Sequence, residues 1–145
     1  MKNILVSACL LGEPCRYDGK SKPCERVIAL KGTYNLIPIC PEVMGGLPTP
    51  RTPSEICGER VLMKDGRDVT ENYNRGAETA LAIARENACT VAILKEKSPS
   101  CGSGLIHNGS FDGGLVEGDG ITTQLLKQNC ICVLGESEIT EDFAL

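Results

Sequence analysis

The chain has 145 residues, a formal net charge of −4 and 23% charged residues, with three Tyr, two Phe and no Trp. That length suits one domain with one proper core, spanning residues 1–145. The acidic balance and the few aromatic rings argue against nucleic acid as a partner and leave small molecules. Nine cysteines are an odd number and no complete disulfide framework, and the apolar segments can build a core without staples. No run reaches the ~18 apolar residues of a membrane span. The segment before Cys9 is too short for a lipoprotein signal. The expectation is a cytoplasmic protein with reduced thiols and no membrane partner.

In chain order, Ile4-Leu5-Val6 reads as a buried strand that ends in Ser7-Ala8-Cys9. The turn-rich Glu13–Gly19 stretch follows, then a short helix over 21–31 with Ser21 as its cap. Tyr34–Cys40 reads as a second strand, and Pro38 points to a sheet edge or a bulge. Residues 40–53 carry four prolines and two glycines and form a long loop of the kind that is usually functional. Ser54–Cys57 reads as a helical turn and Glu59–Lys64 as a short strand. Thr70, as N-cap, opens the clearest helix, with Tyr73, Ala77, Ala80, Leu81 and Ala84 on one face. Thr90–Leu94 is a buried strand, and Gly104–Gly118 a β-hairpin or glycine-rich flap. Asp119, as cap, starts a helix running to Gln128; Cys130–Leu134 is the last strand, and 135–145 an acidic tail. Strands without polar alternation, separated by helices, predict an α/β fold: a three-layer, Rossmann-like sandwich around a mostly parallel sheet.

Three cysteines share one position relative to their strands. Cys9 follows Ile4–Val6, Cys40 closes Leu36–Ile39, and Cys101 follows Val91–Leu94 in the loop Lys95–Ser103. In a parallel sheet those carboxyl ends lie on one edge, about 5 Å apart between neighbours, where open α/β sheets hold their ligands. Three converging thiols suit an iron–sulfur cluster with one iron left open, or zinc with a fourth ligand such as His107. Cys130, Cys132 and Cys89 read as structural, and Cys24 and Cys57 carry no distinguishing context. Cys15 is ambiguous. Glu42 reads as a proton carrier or a carboxylate satisfied by its own loop, and Arg16, Tyr17 and Asp18 as pocket wall or braces of the first loop.

The stretches SACLLG, PCRYDG, CPEVMGGLPTPR and LKEKSPSCGS resemble the thiouracil desulfidase family, and the resemblance runs from Ile4 to about Leu134. It implies a [4Fe-4S] cluster held by Cys9, Cys40 and Cys101. It implies an open iron that takes the substrate sulfur, with uracil and sulfide as products. It also implies catalytic roles for Glu42 and Ser100; Arg16, Tyr17 and Asp18, in the first loop, are the expected substrate contacts. A non-catalytic iron–sulfur sensor or a zinc module is the competing expectation. A fourth thiolate from Cys15 or Cys24 would favour the sensor.

Overall fold

In the computed structural model, which describes residues 1–145, four strands form one parallel sheet. They are β1 (Asn3–Ser7), β2 (Asn35–Ile39), β5 (Val91–Leu94) and β8 (Cys132–Gly135), in the order β2-β1-β5-β8. Two antiparallel hairpins flank it: β3 (Ser54–Cys57) with β4 (Arg60–Met63), and β6 (Leu105–His107) with β7 (Leu115–Glu117). The helices are α1 (Glu25–Ile28), α2 (Pro41–Met44), α3 (Thr70–Glu86) and α4 (Ile121–Gln128). The expected α/β sandwich is therefore present, and Pro38 lies on the edge strand β2, where its missing N–H costs nothing.

The layers follow from alternation along the central strands. Leu5, Ile39, Ala92, Leu94 and Val133 face α3 and α4, packing on Ala80, Leu81, Ala84 and Leu126. Ile4, Val6 and Ile93 face the other way, onto Val27 and Tyr34. The chain leaves β1 in one direction and returns across it to β5. With right-handed crossovers, that reversal puts the two connections on opposite faces.

Several elements depart from the sequence expectation. Ser54–Cys57 is a strand rather than a helical turn, because it pairs with Arg60–Met63 from Ser54↔Met63 to Cys57↔Arg60. Such pairing overrides weak local preference. The helix expected over 21–31 shrinks to Glu25–Ile28 plus a 3-10 turn at Ala29–Gly32, since Pro23 disfavours helical backbone at Lys22 before it. Thr70 is the first residue of α3 and not its cap; Asp68 accepts its N–H at 2.9 Å and its hydroxyl at 2.6 Å. Asp119 does not cap α4, whose cap residue is Gly120; its carboxylate instead takes the Gly104 N–H and the Lys127 ammonium. The acidic end packs back: Ile139 is fully buried, and Phe143 meets Tyr34 edge-on at 6.3 Å.

Candidate active site

The sheet order reverses between β1 and β5, and ligands of open α/β sheets bind at such a point, beyond the carboxyl ends of the strands. A cavity of about 570 Å³ opens there, within the roughly 300–1,000 Å³ of small-molecule sites. Cys9, Cys40 and Cys101 all line it, as do Cys15, Arg16, Tyr17 and Glu42. Six Lys and Arg side chains face it against three Glu, so an acidic protein carries a basic pocket. Asp18 is not on the wall; it pairs with Arg16 at 4.0 Å and accepts the Lys20 N–H at 3.0 Å.

Each thiol is set by its backbone. Cys9 lies in the 3-10 turn Ala8–Leu11, its carbonyl accepting the N–H of Lys22 at 3.0 Å. Cys40 is the cap residue of α2, with Pro41 at the first helical position, where a missing N–H is harmless. Cys101 sits in a loop that serves the start of α4. The carbonyls of Pro99 and Ser100 accept the N–H groups of Ile121 and Thr122 at 2.8 and 2.9 Å, donors otherwise unsatisfied in the first turn. Ser98 Oγ accepts the Cys101 N–H at 2.7 Å, and Thr123 donates to its carbonyl at 2.9 Å. Gly102 is required here, since a Cβ would stand 2.7 Å from the Ser98 carbonyl.

Ser100 lies behind Cys101 rather than on the cavity wall. It is buried, with its hydroxyl 2.8 Å from Thr122. Residues singled out less sharply by sequence also take part. Ser7, at the end of β1, accepts the Lys95 N–H at 2.9 Å and sits beside the Cys101 thiol. Arg51 donates to Glu42 Oε1 at 3.0 Å and to the Cys15 carbonyl at 2.9 Å, its side chain only 3% exposed. In the sequence, Arg51 is marked only by its place in the proline-rich loop, at the end of the stretch CPEVMGGLPTPR. Tyr73 reaches the cavity from α3, its hydroxyl buried and without a hydrogen bond.

The donors fit a metal cluster. Burial pushes the Cys101 thiol up to about 12, against the pull of the Ser7 hydroxyl. The neighbouring Cys15 thiol and burial push Cys40 up as well. Cys40 draws Cys15 down, but the Cys9 thiol and burial outweigh it and leave Cys15 at about 11. Buried thiols of this kind become thiolates when a cation replaces their protons. No three His, Cys, Asp or Glu side chains are arranged to hold a single metal ion. Zinc needs its ligands about 2.0–2.3 Å from one point; a four-iron cage is larger and is bound at its corners. Cys24 is away from the cavity, packed with the apolar cluster of Leu10 and Val27.

The 2-thiouracil desulfurase family model matches residues 4–138, and the chain belongs to that family. Among solved structures it is similar to a [4Fe-4S]-dependent thiouracil desulfidase, TudS, with 48% identity and a TM-score of 0.88, covering 96% of this chain and 93% of that one. It is also 43% identical to the uncharacterized protein YbbK of Bacillus subtilis (strain 168), over 95% of this chain and 98% of the relative. No helix is long and apolar enough to cross a membrane.

Proposed function

We propose that this protein is a desulfidase that removes sulfur from a thiolated pyrimidine such as 2-thiouracil, giving uracil and sulfide. Cys9, Cys40 and Cys101 hold a [4Fe-4S] cluster in this reading. The observation that carries it is that three thiols from three separate strand ends share one cavity. The likeness to TudS, named as [4Fe-4S]-dependent, supports the cofactor. When bound by three thiolates, the cluster supplies an iron with an open position, a soft Lewis acid for a thiocarbonyl sulfur.

The reaction exchanges C=S for C=O: water adds at the ring carbon and hydrogen sulfide leaves, with no net electron transfer. Two protons leave the water and two end on sulfur. Glu42 is the residue to move them. Arg51 engages its Oε1, leaving Oε2 to take a proton from water and return one to the departing sulfur. Arg16 and Tyr17 contact the substrate from the first loop, and Asp18 holds Arg16. Ser100 acts on the site by fixing the Cys101 loop to α4 through Thr122. The cytoplasm is the expected compartment.

One observation favours a second reading. Cys15 lies beside both Cys9 and Cys40 on the cavity wall, so a fourth thiolate would close the cluster and leave a sensor without turnover. Anaerobic reconstitution separates the two. The desulfidase releases sulfide and uracil in equal amounts from 2-thiouracil, and Cys15→Ser keeps both cluster and turnover. Glu42→Gln keeps its iron but loses roughly 100-fold or more in kcat. A loaded wild-type protein that releases no sulfide contradicts the proposal.

A further inference from the structure

The five aromatic residues of the chain are not scattered. Tyr34 and Phe143 pack on each other in the far layer, while Tyr17, Tyr73 and Phe111 line the cavity. Phe111 is the unusual one. It belongs to the glycine-rich loop 108–114 between β6 and β7, and its backbone adopts φ 56°, a left-handed conformation that a bulky side chain disfavours. Such conformations persist when their surroundings enforce them, and they cluster at ligand sites.

The enforcing group is Glu55 of β3, a buried carboxylate on the cavity wall. Its Oε1 accepts the Gly109 N–H at 2.9 Å and the Phe111 N–H at 3.2 Å. A second tie, from the Cys57 thiol to the Gly109 carbonyl at 3.3 Å, holds the same turn. Gly109 has no room for a Cβ, which would stand 2.7 Å from the Ile56 carbonyl. The loop is thus clamped onto the β3–β4 hairpin with Phe111 toward the cavity.

We propose that Phe111 is a substrate-binding residue, the face on which a planar thiolated ring stacks, and that Glu55 is the positioning residue that presents it. Aromatic faces hold planar bases without reading their polar edges, so Phe111 supplies affinity for a flat ring whichever carbon carries the sulfur. The proposal rests on the desulfidase reading above and adds the wall that receives the ring.

The decisive variant is Phe111→Gly, because it removes the ring and relieves the backbone together. A merely structural Phe111 gives a less stable protein when removed. A substrate-binding Phe111 gives a melting temperature no lower than wild type, unchanged iron content, and a KM for 2-thiouracil raised roughly tenfold with kcat little changed. Phe111→Leu falls between the two. For Glu55, hydrogen exchange at the Gly109 and Phe111 amides speeds up in Glu55→Ala and KM rises. Glu55→Gln, which keeps an acceptor oxygen, restores both. An active wild type whose KM is unmoved in Phe111→Gly and Phe111→Leu overturns the stacking role alone. A loaded wild type without sulfide release overturns the desulfidase reading and this one with it.

Discussion

The Arg51 guanidinium satisfies four acceptors at once: Glu42 Oε1, the Pro48 and Cys15 carbonyls and the Thr49 hydroxyl, at 2.9–3.1 Å. It joins the proline-rich loop, the proposed proton carrier and the first cysteine loop. Lysine has a single ammonium and no fork, so it cannot repeat this geometry. Arg51→Ala is expected to cost about 3 kcal/mol in urea unfolding, since it strands buried partners. Arg51→Lys is expected to fold better than the alanine variant yet lose much of kcat, because Glu42 is no longer held. At this scale the sequence was informative about chemistry and less so about support. Cys9, Cys40 and Cys101 stood out because each lies in the segment beyond the carboxyl end of a strand, and Glu42 because it is the carboxylate of the motif that begins at Cys40. Arg51 lies eleven residues past Cys40, and Tyr73 reaches the cavity from a helix whose apolar face it shares. No local pattern distinguishes such residues from loop or core.

The short helix α2 carries Cys40 and Glu42 only because it lies against α3 at backbone contact. Gly76 of α3 packs directly on the Pro41 carbonyl, and Gly45 on the Asn72 carbonyl, leaving no space for a Cβ at either position. Asn72 Nδ2 donates to the Gly45 carbonyl at 2.9 Å and fixes the seam. Gly76→Ala therefore forces α2 away from α3, with an expected loss of about 2 kcal/mol. The displacement falls on the residue before Glu42, so kcat should drop as well, measured on protein matched for iron content. The strands were legible because each is a short β-branched apolar run. The β3 strand was not, since Ser-Glu-Ile-Cys has no strand signature and its partner creates it. The caps of α3 and α4 were each misplaced by one residue, because Asp68 holds Thr70 inside the first turn of α3 and Asp119 turns to Gly104 and Lys127.

Across the whole molecule, the parallel sheet brings together groups up to 92 residues apart, from Cys9 to Cys101. The order β2-β1-β5-β8 sets the strand ends of Cys9 and Cys101 side by side, with that of Cys40 next to Cys9. The last residues complete this scaffold rather than trailing from it. Ile139 is fully buried against Ile4, Ile93 and neighbours in the far layer, so Ile139→Ala is expected to cost about 3 kcal/mol in unfolding free energy. A tail in solvent would give no change. Its acidic composition hid this packing, because only one or two apolar side chains make the contact.

In the proposed site three thiolates, and no others, hold the cluster and leave one iron for substrate. The most direct measurement is iron and sulfide content after anaerobic reconstitution of single Cys→Ser variants, paired with sulfide release from 2-thiouracil. About four irons per chain and turnover are expected in wild type, Cys15→Ser, Cys24→Ser and Cys89→Ser. Loss of both is expected in Cys9→Ser, Cys40→Ser and Cys101→Ser. A cluster that survives loss of Cys9, Cys40 or Cys101, or that needs Cys15, would rule out the three-thiolate site.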